Sequence, residues 1–165
     1  MLHAFFGEDM DEDSVLIEPR RIPGDPEIDH PIILNLFDPY FELLRKELKV
    51  KKSALKRLRF PSMNCCSTSI DGRKISVFGT PLGSPQAALV LERLIAMGAR
   101  EVLCFGCCGS LQEDLGTGSL VVPTEALSEE GTSAHYPLPP GKMAEADEKI
   151  ARLCLAKSRE KKFKT

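Results

Sequence analysis

The alternation of apolar and polar positions is clearest between residues 75 and 123. Ile75-Ser76-Val77-Phe78 reads as a strand, and Glu101-Val102-Leu103-Cys104-Phe105 as a second. Between them Ala87, Leu91, Leu94 and Ile95 recur at helical spacing and predict one apolar helix face. Ser84 is suited to the N-cap and Pro85 to the first helical position, while Gly98 is suited to ending the helix. Strand, helix and strand in this order predict two parallel strands joined by a right-handed crossover. The uninterrupted apolar character of residues 102–105 predicts a strand buried on both faces and central in its sheet.

The flanking pattern extends this unit. Asp71-Gly72 predicts a hairpin turn between strands at residues 65–70 and 75–79. Phe41, Leu44 and Leu48 predict a helix after Pro39. Residues 14–19 read as a short strand, and Pro23-Gly24-Asp25-Pro26 as a turn. Residues 118–123 read as another short strand ended by proline. Ala146, Ile150, Leu153 and Cys154 predict a last amphipathic helix over about residues 143–161. In an alternating layout a strand should follow that helix. The expectation is an incomplete α/β domain over residues 14–165: a fragment, a truncated product, or a domain completed by a partner. Residues 1–13, with five acids at positions 8 to 13, are expected to form an acidic flexible arm.

Composition narrows the function classes. The length of 165 residues suggests one domain, and 42% hydrophobic residues suffice for a core. A formal net charge of −2 gives no reason to expect nucleic acid or membrane as a partner. The basic run Arg45, Lys46, Lys49, Lys51, Lys52, Lys56, Arg57 and Arg59 has no interleaved aromatics, and reads as a solvated helix and loop face. No apolar run approaches the roughly 18 residues of a membrane span. The amino terminus turns acidic too soon for a signal peptide, so a cytoplasmic location is expected. The six cysteines include the adjacent pairs Cys65-Cys66 and Cys107-Cys108, and reduced, partly buried thiols are the simplest reading.

The candidate chemistry lies in loops. Gly79-Thr80-Pro81-Leu82-Gly83-Ser84 and Gly106-Cys107-Cys108-Gly109-Ser110 leave predicted strand ends, as Pro23-Gly24-Asp25-Pro26 does in weaker form. Ligands of open α/β sheets bind at such carboxyl ends, and glycine lets backbone N–H groups approach an anion. Tight turns without function are the competing reading. Cys104-Phe105-Gly106-Cys107 has C-x-x-C spacing, but no second pair at zinc-site spacing and no helix start to activate a thiol, so no metal is expected. His135 sits in a polar loop with Tyr136, as a substrate wall or as a surface histidine. His3 and His30 have no local context that suggests catalysis.

The run from Gly79 through Gly98 and Gly106-Cys107-Cys108-Gly109 to Thr117-Gly118-Ser119-Leu120-Val121-Val122 resembles the nucleoside phosphorylase family, which includes uridine phosphorylases and hexameric-type purine nucleoside phosphorylases. Glu130-Gly131-Thr132-Ser133-Ala134-His135-Tyr136 resembles the loop that follows in several members. The resemblance implies a three-layer αβα sandwich with a mixed, largely parallel central sheet. It also implies a homo-oligomer acting on a nucleoside, with inorganic phosphate as co-substrate and no cofactor.

The same resemblance implies roles. Gly24 would donate its backbone N–H to phosphate, Cys107 would contact phosphate from its turn, and Arg59 would be the arginine lent by a neighbouring subunit. Thr80, Gly83 and Ser84, with Gly106, Gly109 and His135, would line the ribose and base side. Cys104 and Ile28 stand where the family carries arginines, and Arg20 and Arg21 lie near the first turn. The family's Met-Glu ribose clamp and base-side acid or amide belong to a more C-terminal part, so no catalytic residue is assigned. Three activities are implied: phosphorolysis of the N-glycosidic bond, hydrolysis of it by water, or nucleoside binding without turnover.

Overall fold

The computed structural model describes residues 18–59, 62–137 and 141–163. The expected acidic arm lies outside them, as does most of the expected strand at 14–19; Glu18 and Pro19 belong to no strand.

Inside the sheet, next to one edge, is a strand the pattern did not announce, β1 (Ile32–Asn35). Its apolar run is only three residues long, too short to separate a strand from a loop by periodicity. It pairs in parallel with β4 (Arg73–Gly79) on one side and β5 (Val102–Phe105) on the other. Beyond β4 the sheet continues antiparallel through β3 (Ser62–Ile70) to β2 (Lys56–Arg59). Asp71 and Gly72 form the expected hairpin turn, both with positive φ.

Helices α1 (Asp38–Glu47) and α2 (Ser84–Ala96) cover opposite faces. Ile32, Leu34, Cys65 and Phe78 pack with Val90, Leu94 and Met97 on the α2 side. Ile33, Cys66 and Val77 pack with Phe41, Leu44 and Leu48 on the α1 side. Strand alternation sends successive side chains to opposite faces, so the neighbouring thiols Cys65 and Cys66 serve two cores. Burial pushes the Cys65 thiol up to about 11. These are the three layers of an αβα sandwich around a mixed sheet.

Several expectations change. Residues 102–105 do form a strand, but at the sheet's edge, with Leu103 and Phe105 exposed; apolar character reports a capacity for burial, and cover for this strand's outer side is not found among the described residues. Residues 118–123 form no strand, since no neighbouring strand offers them a ladder; the next strand, β6 (Glu125–Leu127), pairs with β7 (Met143–Glu145) in a separate antiparallel ribbon. The last helix, α3 (Glu148–Glu160), starts later than expected because Asp147 caps it, its carboxylate accepting from Ile150 N at 2.9 Å. On α2 the buried face is Val90, Arg93 and Leu94, and Ile95 is exposed. The basic run is not one solvated face: residues 56–59 are strand β2, and Arg45 is buried, donating to Glu42 and to the Val50 carbonyl.

The segment before β1 is anchored along α2. Arg93 forms a buried ion pair with Asp25, which also accepts from Ile22 N at 2.8 Å. Ile28 N donates to Met97 O at 2.9 Å, and a Cβ on Gly98 would lie 2.5 Å from the Ile28 carbonyl oxygen. Gly98, with φ +111°, is therefore required by both conformation and close approach.

Candidate functional site

α1 and α2 leave β1 and β4 toward opposite faces, the arrangement in which open α/β sheets bind ligands at the carboxyl ends of adjacent parallel strands. Asn35 pairs with Gly79 in register, and on its other side with Phe105. Three loops thus leave the sheet side by side, at residues 36–38, 80–83 and 106–110. Thr80 N donates to Asn35 O at 3.0 Å, and Leu36 N to Phe105 O at 2.7 Å, which ties the loop bases together. A Cβ on Gly106 would meet Leu36 Cβ at 3.3 Å, so the neighbouring loop favours glycine there.

The floor of this edge is polar and buried. Asn35 is fully buried; its Nδ2 donates to Phe37 O at 2.7 Å, while Oδ1 has no partner among the described residues. Thr80 is also buried, its hydroxyl donating to Pro81 O at 3.2 Å. On the β5 side the edge is aromatic: Tyr40 lies 5.0 Å from Phe37 and 6.3 Å from Phe105 between ring centroids. On the opposite side Arg57, Asn64 and Met63 line a hollow of about 210 Å³ with Gly79, Thr80 and Pro81. The Arg57 Nε donates to Ser62 Oγ at 2.8 Å.

A second set of bonds runs over the start of α2. Glu130 accepts from Ser84 Oγ, Thr132 N (2.8 Å), Ser133 N (2.6 Å) and Ser133 Oγ. Those donors, Ser133 first and Ser84 next, hold its carboxyl down to about 2. Tyr136 donates to Glu92 Oε1 at 2.7 Å, which raises the phenol above its usual range. Ser84 is thus not the N-cap; Gly83 takes that position, and the serine hydroxyl is spent on Glu130.

A family model described as the phosphorylase superfamily matches residues 35–165. The chain belongs to the phosphorylase superfamily. It is 41% identical over 70 residues to a guanosine phosphorylase of Halorubrum lacusprofundi, an alignment covering 42% of this chain and 29% of that one. A uridine phosphorylase of Thermococcus kodakarensis is 31% identical over 116 residues, covering 70% of this chain and 36% of that one. Among solved structures, purine nucleoside phosphorylase from Toxoplasma gondii, in complex with immucillin-H, shares the fold with a TM-score of 0.71 at 21% identity. That match covers 92% of this chain and 60% of the other. The chain therefore spans about a third of the length of these two curated relatives.

Within this superfamily member the expected site residues divide. Thr80 and Gly83 leave β4 and Gly106, Cys107 and Gly109 leave β5, all from the same edge of the sheet, with Ser84 opening α2 beside them. His135 lies in a short 3-10 turn, Ser133–His135, joined to Ser84 through Glu130. Arg59 ends β2 and is exposed, at the opposite edge of the sheet from β5, whereas Arg57 is the arginine that lines the hollow at Thr80.

Gly24 is not brought to this edge. Its turn precedes β1 and is held to α2 through Asp25, at the end where the parallel strands begin, and Ile28 is core rather than rim. The turn that leaves β1 at its carboxyl end is Leu36-Phe37-Asp38-Pro39, and the family match starts beside it at residue 35. Sequence reasoning missed Asn35, Arg57 and Glu130. A polar residue closing an apolar run before an Asp-Pro helix start was the signal for Asn35, and the alternation Arg57-Leu58-Arg59 was the signal for Arg57. Glu130 opens the stretch that resembles the family's loop, but nothing in that stretch marked its bond to Ser84. Among the described residues no helix is long and apolar enough to cross a membrane.

Proposed function

We propose that this domain belongs to an enzyme that cleaves the N-glycosidic bond of purine or pyrimidine nucleosides with inorganic phosphate. The observation that carries the reading is the superfamily match over residues 35–165, on a fold whose glycine-bearing loops at residues 79–84 and 106–110 leave one edge of parallel strands. A phosphate oxygen attacks the anomeric carbon as the bond to the base breaks. The base leaves with the bonding electrons and takes up a proton, and the sugar passes through an oxocarbenium-like state. Such a reaction requires an anion site beneath the sugar. Cys107 and the backbone of the 106–109 turn are the proposed phosphate contacts, with Arg59 or the nearer Arg57 as the cation. Thr80, Gly83, Ser84 and His135 are proposed for the ribose and base side. Gly24 is left out of this assignment because its turn belongs to the α2 anchor. A cytoplasmic homo-oligomer is part of the proposal.

One observation favours a second reading. Cys104 occupies the end of β5 where the family resemblance calls for an arginine, and a thiol supplies neither permanent charge nor a bidentate fork for phosphate. A nucleosidase using water needs neither. Incubation with guanosine, inosine and uridine, with and without phosphate, separates the readings. Phosphorolysis yields free base and pentose 1-phosphate only when phosphate is present. Base release independent of phosphate selects the nucleosidase. Saturable nucleoside binding with no base release in either condition leaves a non-catalytic homologue.

A further inference from the structure

The bonds around Glu130 join two segments far apart in sequence, and their pattern goes beyond loop packing. One carboxylate collects two backbone N–H groups and two hydroxyls, so that Ser84 at the start of α2 and Thr132-Ser133 in the loop share a single acceptor. Thr132 Oγ1 adds a bond to Ser84 Oγ at 3.3 Å. The second tie, Tyr136 to Glu92, lies eight residues further along α2, which is about 12 Å along the helix axis at roughly 1.5 Å per residue. A segment tied at two points along one helix is a strap, and its first tie falls beside the 79–83 loop.

We propose that Glu130 is a positioning residue of the nucleoside site, holding residues 129–136 against α2 so that Ser84 and the His135 turn form one preorganised wall. This rests on the reading that the 79–84 loop lies beside the sugar. The carboxylate suits the task because it is acceptor-only and can serve several donors at once, whereas an amide in its place offers a single acceptor oxygen and cannot accept from all four. An alanine frees all four donors and leaves the strap on the Tyr136 tie and the long Thr132 Oγ1–Ser84 Oγ bond. Preorganisation of this kind acts on ligand affinity, because an unfastened wall must be ordered anew at each binding event. The hydrogen bonds within α2 and the central strands do not involve Glu130.

The test uses the full chain with guanosine and uridine as probes and two readouts. Amide hydrogen exchange at Thr132 and Ser133 reports the strap, and nucleoside dissociation constants report the site. Glu130→Ala should speed exchange at both amides by tenfold or more while β1, β4 and α2 amides are unchanged, and should weaken nucleoside binding by about tenfold. Glu130→Gln, with one acceptor oxygen retained, should fall between wild type and Glu130→Ala on both readouts. Unchanged exchange at Thr132 and Ser133 in Glu130→Ala overturns the strap. Faster exchange with unaltered nucleoside affinity overturns the positioning role and leaves the site reading standing. Absence of nucleoside binding by the wild type removes the site reading, and the positioning role with it, whatever the exchange data show.

Discussion

Residues 28–99 and residues 102–163 both carry regularly spaced apolar side chains, and the two regions use them differently. In the first, Ile32, Leu34, Val77, Val90, Leu94 and Met97 are all at or below 1% exposure. In the second, Leu103, Phe105, Val121, Leu127, Met143, Ile150 and Leu153 are exposed, Leu111 stands fully open, and among the described residues Ala151 is the one buried hydrophobic side chain. The difference is one of partners. The first region closes two cores by placing β1, β3 and β4 between α1 and α2. The second contributes an edge strand, a short ribbon and a helix, whose apolar faces have little to pack against among the described residues. An apolar residue is a bid for burial that its surroundings accept or leave open.

The sharpest way to break this contrast is at the buried ion pair that fastens the segment before β1 to α2. Arg93→Ala leaves the Asp25 carboxylate buried without its partner and should lower unfolding stability by about 3–5 kcal/mol, read by urea denaturation. A loss under about 1 kcal/mol, within the range of exposed pairs, would mean that the anchor is open to water.

A matched pair of truncations follows in size. Leu94→Ala removes a side chain with no exposure and should cost about 3 kcal/mol. Leu153→Ala, at 59% exposure, should change stability by no more than about 0.5 kcal/mol. Equal costs in thermal denaturation would refute the division into a closed and an open region.

The smallest effect concerns the strap. Glu130 is held at about 2 against an ordinary 4.5, so its contribution is fully present above pH 4.5 and is lost as pH falls through about 2. A carboxyl carbon resonance titrating near 2 is the expected NMR result, and a midpoint near 4.5 would dissolve the Ser84 and Ser133 bonds as persistent features.

How much of this was legible beforehand differs element by element. The hairpin at Asp71-Gly72, the helix opening near Ser84 and its end at Gly98 follow from local chemistry, because turn and cap geometry is set within a few residues. The loops at 79–84 and 106–110 were legible as candidate site elements for the same reason. The Pro23-Gly24-Asp25-Pro26 turn misled, since its local chemistry suits a ligand loop equally well and only the Asp25–Arg93 pair, 68 residues apart in sequence, reveals it as an anchor. Glu130 stood in the loop of family resemblance, but its tie to α2 was invisible because Ser84 is 46 residues away.

The sequence by itself determined the hairpin and the strand–helix–strand unit, and with the family match it determined the phosphorylase superfamily, because these depend on periodicity, turn residues and motif order along the chain. Only the tertiary structure decided that β1 lies between β4 and β5, that β5 is the edge, that Asn35 is buried at the carboxyl end of β1, and that a carboxylate from residue 130 fastens the start of α2. Each of these is a pairing between distant segments, and strand order and cross-chain hydrogen bonds are fixed by which surfaces meet, a quantity that no local window of residues contains.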